Sequence, residues 1–592
     1  MKHHHTLIKS TLTLALLAQL VPVTGFAQND HAAGRHHART PIEHVIVVVG
    51  ENHTFDNLFG GYQPPAGQTI ANLLAKGIIN ADGTPGPHFA DAMQHQASDT
   101  DLYRLAPLKV GAYTTLPQPN TTYATGLPPN VADARFPADL PNGPFQITHY
   151  VPYDAYTGDP MHRFFQMWQQ SDKGQMDLFP WVATTASIGP SNDGFSPTPT
   201  QPNQGGESMG FYNMSTGDAP GFKQLAETYA MGDNAHQSIM GGTGANFLAL
   251  VTGDAAFYAD QGKPQTPPAN QIENPNPQAG LNNWYTQDGY RGGSYVNCAD
   301  EQQPGVGEIH GYLRSLPYRP FRDGNCAPGA YYLVNNYNLG YDYAGTVAPL
   351  GADHFTLPPQ SIPTIADALS AANVSWKWYS GGRVTGATPT NEYCSICDPL
   401  TGFTSVMTSA LKDNLQGMDE FNQDVVNGTL PAVTFVRPYE SKAGHPANAT
   451  LAGYESFVVD LVNKVQANPE LWAKTAILVT VDEGGGYYDS GYIQPIDFFG
   501  DGTRIPLMAI SPYAKPGYVD HTYYDHASVL KFIERNWGLK PLSQRSRDNL
   551  PNPVMRGTDA YKPVNAPAIG DLMNMFDFEH GHDHGVATTP RS

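Results

Sequence analysis

Charge is scarce in this chain, and what there is falls largely on one side. Of 592 residues only 15 % are charged, and Lys+Arg 33 against Asp+Glu 54 leaves a formal net charge of −21 with no Lys/Arg-rich block. A surface of that sign repels nucleic acid and anionic lipid surfaces. Nucleic acid is thereby excluded as a partner, and any phosphate must be gripped by a local arrangement of groups. Long apolar runs are also lacking: beyond the N-terminal segment none reaches the ~18 residues of a membrane-spanning helix, so no stable membrane anchor is expected. No internal repeat is present, which removes repeat architectures from consideration.

Cysteine is sparse, with Cys298, Cys326, Cys394 and Cys397. An even count in an exported chain fits two disulfides, and local pairing, Cys298 with Cys326 and Cys394 with Cys397, is preferred among the three arrangements. The "CSIC" stretch is also open to reading as a redox or metal pair. It lacks a second CxxC and a thioredoxin-like context, so the disulfide is favoured.

What is present begins with Lys2 and Lys9, the apolar "LTLALLAQLVPV" and small residues around Ala27. This is the pattern of a signal peptide over 1–27 and predicts a periplasmic or secreted protein. Gly 59 and Pro 51 alongside 40 % hydrophobic residues describe a folded core carrying long loops. "AVTFVRP" (432–438), "YESFVVDLVNKVQ" (454–466) and "AILVTVDE" (476–483) read as strand, amphipathic helix and strand, a βαβ unit that implies parallel pairing. The same grammar recurs in "IPTIADALSAANV" followed by "SWKWY", with Pro363 expected in the first helical turn. It recurs again in "IPLMAISPY" followed by "DHASVLKFIERNWG", with Asp525 as N-cap and Gly538 as the stop. The fold class is therefore α/β, a doubly wound, mostly parallel sheet with helices on both faces and long loop insertions.

Ligands of such sheets sit outside the carboxyl ends of the strands. "VIVVVGEN" ends on Glu51 and Asn52, and "AILVTVDE" on Asp482 and Glu483. If both strands are central, three carboxylates and a carboxamide converge, and a divalent cation is the simplest remedy for their repulsion. For any one pair a plain turn is the commoner explanation; two pairs, each after a buried run and each beside glycine, favour a metal. Thr243 in "GGTGANFLALVTG" stands at the start of an apolar helix, either as a nucleophile favoured by the helix dipole or as an ordinary N-cap. Among 21 histidines, His162, His354 and His445 stand in the best places for proton transfer or phosphate contact.

Together "IEHVIVVVGENHTFDNLFG", "HRFFQMWQQSDKGQMDLF", "GGTGANFLALVTG", "TAILVTVDEGGGYYD" and "RIPLMAISPYAKPG" resemble, in order, the signature segments of the bacterial phosphoesterase family of secreted acid phosphatases and phospholipases C, related to the alkaline phosphatase superfamily. The resemblance implies an alkaline-phosphatase-like core and a phosphoryl-transfer site. In it Glu51, Asn52, Asp482 and Glu483 bind the metal, Thr243 is the nucleophile and also touches it, and His162, His354 and His445 contact phosphoryl oxygens or protonate the leaving group. Oxygen-rich ligands favour Mg, Ca or Mn, with Zn or Fe also compatible. The implied partition is a phosphoesterase catalytic domain over 40–578, with insertions at about 97–150, 186–215 and 255–350, and a His-containing flexible tail over 579–592.

The expected activity is acid phosphatase action on phosphomonoesters through a phosphothreonine. A phospholipase C-type phosphodiesterase is the alternative within the family, made less attractive by Asp489-Ser490 where that branch carries Asp-His. An inactive protein that captures phosphate-bearing ligands is the alternative from another class. Sulfatase is rejected, because "CAPGA" (326–330) lacks the arginine of the sulfatase sequence.

Overall fold

The computed structural model describes residues 37–580 except 100, 123, 130, 186–203 and 278–291. The expected signal peptide and the tail residues His582 and His584 lie outside the described residues. Eight strands form the main sheet: β1 (His44–Gly50), β2 (Ala230–Gly232), β3 (Trp376–Ser380), β4 (Leu415–Gly417), β5 (Val433–Arg437), β6 (Thr475–Val481), β7 (Leu507–Ile510) and β8 (Val519–Asp520), in the order β4-β3-β5-β1-β6-β7-β2-β8. β1 pairs in parallel with both β5 and β6. Strands Val-rich on both faces have no solvated side, and from Val45 on every residue of β1 is buried, as is all of β6.

The sheet is mixed, because β7 runs antiparallel to both β6 and β2. Its four residues, all buried, carry the same pattern in either direction, so the sequence does not disclose the reversal.

Five helices matter for the site: α1 (Phe164–Ser171), α2 (Thr243–Thr252), α3 (Ile365–Ala371), α4 (Leu451–Gln466) and α5 (Ala527–Trp537). α4 is the crossover between β5 and β6 and buries Val458, Leu461, Val462 and Val465 as its periodicity requires. Two caps differ from expectation by a residue. Pro363 precedes α3 rather than entering it, because Thr364 and Asp367 close a capping box. His526 rather than Asp525 is the N-cap of α5, although Asp525 Oδ1 still accepts the Ala527 N–H at 2.9 Å. Gly538 ends α5 at φ +66°, as the stop signal implies.

His526 ties α5 to the sheet. Its Nε2 donates to Val481 O at 3.0 Å and its Nδ1 accepts from the Ser238 N–H at 3.3 Å, roles only the neutral ring can fill. Burial, outweighing the Val481 bond and Asp525, lowers its pKa. The unfolded chain takes up a proton that the folded chain resists, so stability is unaffected above about pH 6.5 and falls as pH drops below it. In chelator, the urea midpoint of the parent is expected to lose more between about pH 7 and pH 5 than that of His526→Gln, whose side chain does not titrate. Equal losses would refute this role.

Both disulfides are local: Cys298–Cys326 and Cys394–Cys397. Cys326 is therefore bridged and unavailable for sulfatase-type modification. No helix among the described residues is long and apolar enough to cross a membrane.

Candidate active site

The register places two strand ends side by side. Gly50 is opposite Val481, so Glu51 and Asp482 leave the sheet together, and Arg437 closes the adjacent β5. Close approach is built in with glycine. A Cβ on Gly50 would lie 2.5 Å from the Tyr454 ring of α4, and Gly485, at φ +60°, would place one 2.5 Å from Asn52 Cβ. Asn52 itself has φ +61°, a conformation asparagine tolerates better than most residues and one that clusters at functional sites.

Asp482 organises the turn. Its Oδ1 accepts the N–H groups of Asn52 at 3.1 Å and Glu483 at 2.7 Å. Its Oδ2, both amide atoms of Asn52 and Glu483 Oε2 are buried without a hydrogen-bond partner. Buried polar atoms are nearly always satisfied, so several orphans at one spot require an explanation. Burial, then the Glu51 carboxylate, pushes Asp482 up to about 8; burial, Asp482 and Asp159 hold Glu483 well above the usual carboxylate range. These oxygens fit a hard divalent cation, which would satisfy the orphaned oxygens and offset the repulsion.

Thr243 is the first residue of α2, with Gly242 as the N-cap, so the ordinary N-cap reading is not what the helix adopts. Its hydroxyl instead faces Glu483 Oε1 at 3.4 Å. The loop before it is locked by Asn246, which accepts from Ile239 N–H and donates to the carbonyls of Ile239 and Gly241. Asn336 Oδ1 accepts the Gly244 N–H at 2.7 Å, while the adjacent Asn335 Oδ1 accepts the Phe164 N–H at 2.9 Å. One dipeptide thus braces the starts of α1 and α2.

His162, just before α1, meets His445 edge to face at 6.2 Å. The ligating atoms of Asp159, His162 and His445 all lie within 4.8 Å of one another, a second group with metal-binding donors. His445 Nε2 is 4.0 Å from Glu51 Oε2. Burial acts to lower the pKa of His445, but Asp159, Glu51 and Glu440 outweigh it and raise it to about 9. The imidazolium form is the favoured one there, poised to donate.

His354 is not brought into this cluster. It is exposed and lines a hollow of about 600 Å³ with Tyr341, Tyr343, Tyr393 and Ser395. Sequence reasoning also missed Asp159 and Arg437. Arg437 is fully buried, ion-pairs with Glu51 Oε1 and reaches Glu440 at 2.7 Å. Cys397 Sγ lies 3.3 Å from the same Glu51 oxygen, and being bridged it has no proton to donate. Asp489 and Ser490 are taken up elsewhere, with Arg504 and Asp56 respectively.

A profile described as the phosphoesterase family matches residues 42–540. The hemolytic phospholipase C of Pseudomonas aeruginosa is 27 % identical over 296 residues, 42 % of this chain and 37 % of that protein. The non-hemolytic phospholipase C of Burkholderia pseudomallei is 28 % identical over 301 residues, 42 % of this chain and 40 % of it. An acid phosphatase of Aspergillus niger is 28 % identical over 204 residues, 32 % of this chain and 46 % of that enzyme. The matches thus span less than half the length of each of these relatives. A Vibrio parahaemolyticus protein of the alkaline phosphatase superfamily superposes with TM-score 0.27 and 10 % identity over 56 % of this chain and 63 % of its own, a likeness too slight to argue from.

Proposed function

The chain belongs to the phosphoesterase family, and from that premise we propose that it is a metal-dependent phosphoric ester hydrolase, an exported acid phosphatase that turns over phosphomonoesters through a phosphothreonine. The observation that carries the reading is the set of buried, unpartnered atoms on Asn52, Asp482 and Glu483 beside the Thr243 hydroxyl. Glu51, Asn52, Asp482 and Glu483 would hold a divalent cation, with Thr243 as a further oxygen. When bound, that ion would supply charge neutralisation for the phosphate and a lower pKa for the threonine hydroxyl.

The chain's own residues supply the rest. Thr243, fixed by the Asn246 and Asn336 hydrogen bonds, attacks phosphorus at the positive end of the α2 dipole. His445, set among Asp159, Glu51 and Glu440, donates to the departing alkoxide, and His162 beside it orients the phosphoryl group. The proton that Thr243 loses on attack passes to solvent; water then releases phosphate from the threonine, giving one proton to His445, and Thr243 regains its own from solvent. Arg437 occupies one oxygen of Glu51, which leaves Oε2 for the cation. We assign the hollow lined by His354 and Tyr393 to the leaving group.

A phospholipase C-type diesterase is the second reading, favoured by the names of the phospholipase relatives. Against it stands the acidic surface, which offers no basic stretch for lipid. p-Nitrophenyl phosphate is expected to be cleaved at least ~10-fold faster than bis- or choline-substituted p-nitrophenyl diesters, and a chelator should abolish both activities until one cation restores them. Faster diester cleavage would reverse the order of the two readings. Full activity in a metal-free preparation would remove the cation. Tight phosphate binding without any turnover would leave the ligand-capturing alternative.

A further inference from the structure

The Cys394–Cys397 bridge is the one motif the reaction above does not use, and its position is unusual for a structural staple. The ligating atoms of Cys394, Cys397 and Glu51 lie within 4.8 Å of one another. Cys397 is buried, whereas Cys394 is half-buried between Tyr393 and Ser395, which wall the 600 Å³ hollow. Cys394 is thus the partly exposed half of the bridge, and the other sulfur faces the Glu51 carboxylate.

We propose that reduction of Cys394–Cys397 creates a second metal site, formed by both thiolates and Glu51, that binds zinc. A dithiol is the reductant. Its first thiolate attacks Cys394 Sγ and displaces Cys397; its second thiol then displaces Cys394, so the reductant leaves as a disulfide and two electrons and two protons reach the cysteines. Zinc binding releases those two protons to solvent. Two thiolates and one carboxylate carry −3, zinc +2, and the Arg437 guanidinium on Glu51 Oε1 +1, so the assembly is neutral. Sulfur donors select zinc over the harder cations suited to an all-oxygen site, and two sulfurs, one oxygen and a water complete a tetrahedron. The consequence for catalysis rests on the phosphoesterase reading: Glu51, once shared with zinc, lends less negative charge to the oxygen-rich site, and reduction with zinc lowers activity.

The full-length oxidised protein and the same protein reduced by a phosphine and then freed of it by gel filtration are titrated with Zn²⁺ and, separately, Co²⁺ under argon. The expected result is one additional zinc per chain after reduction, with a thiolate-to-cobalt charge-transfer band in the near ultraviolet. Both are lost in Cys394→Ser/Cys397→Ser and kept in Cys298→Ser/Cys326→Ser, whose bridge belongs to no group of metal-binding donors among the described residues. Glu51→Gln keeps the band and weakens zinc by at least ~10-fold. Equal zinc in both redox states, an extra zinc without the band, or a band that survives loss of Cys394 and Cys397 would overturn the proposal. The metal titration needs no turnover, so its outcome is separable from p-nitrophenyl phosphate hydrolysis by the oxidised enzyme, which tests the phosphoesterase reading alone.

Discussion

Replacing Thr243 by alanine is expected to lower kcat on p-nitrophenyl phosphate by on the order of 10⁴-fold or more, with the circular dichroism spectrum and melting temperature of the parent retained. The loss is large because no second hydroxyl among the described residues is held at Glu483, and because a nucleophile removed from an otherwise intact site leaves only the binding terms. Folding should survive for a specific reason: the hydroxyl provides no cap, since Gly242 is the N-cap and Asn336 receives the Gly244 N–H. Rapid-quench labelling with a phosphate ester should trap phosphothreonine in the parent and nothing in the variant. Turnover within ~10-fold of the parent would remove Thr243 from the mechanism.

The second large effect is expected at Asp482, where function and stability should move in opposite directions. Asp482→Asn keeps an oxygen to accept the Asn52 and Glu483 N–H groups but cannot ionise. Activity should fall by on the order of 10³-fold as cation affinity drops. In chelator the variant should nevertheless be more stable than the parent, by about 2 kcal/mol or more near neutral pH. Burial and Glu51 raise the folded carboxyl to about 8, so the folded state favours the proton. The stability that a protonated Asp482 contributes is complete below its unfolded pKa near 4 and is lost as pH rises through about 8. The advantage of asparagine, which mimics the protonated form, should therefore be absent in acid and grow with pH. Adding the cation should reverse it. A variant less stable than the parent at every pH would show that the carboxylates are not in conflict.

The central strands were readable because they carry a constraint the sequence cannot hide. β1 and β6 are apolar on both faces, which only the middle of a parallel sheet accommodates, and once both are central their ends must meet. Glu51 with Asn52, and Asp482 with Glu483, follow from that alone, as does the local disulfide pairing from cysteine spacing. Asp159, Arg437 and the Asn335–Asn336 brace were not readable. Each is polar and is recruited by a contact distant in sequence, such as Arg437 to Glu51 across 386 positions. His354 stands out in the sequence only by its local context, and the fold seats it on the hollow. The reversal of β7 was invisible because four buried residues have no direction in their pattern.

The place of β1 between β5 and β6 also governs how the protein can be made. The Asn52–Asp482 hydrogen bond spans 430 positions. At synthesis rates of about 5–20 residues per second, the valine-and-isoleucine run Val45–Val49 waits on the order of 20–90 s before its second neighbour exists. Such a segment is a template for aggregation unless a holdase covers it.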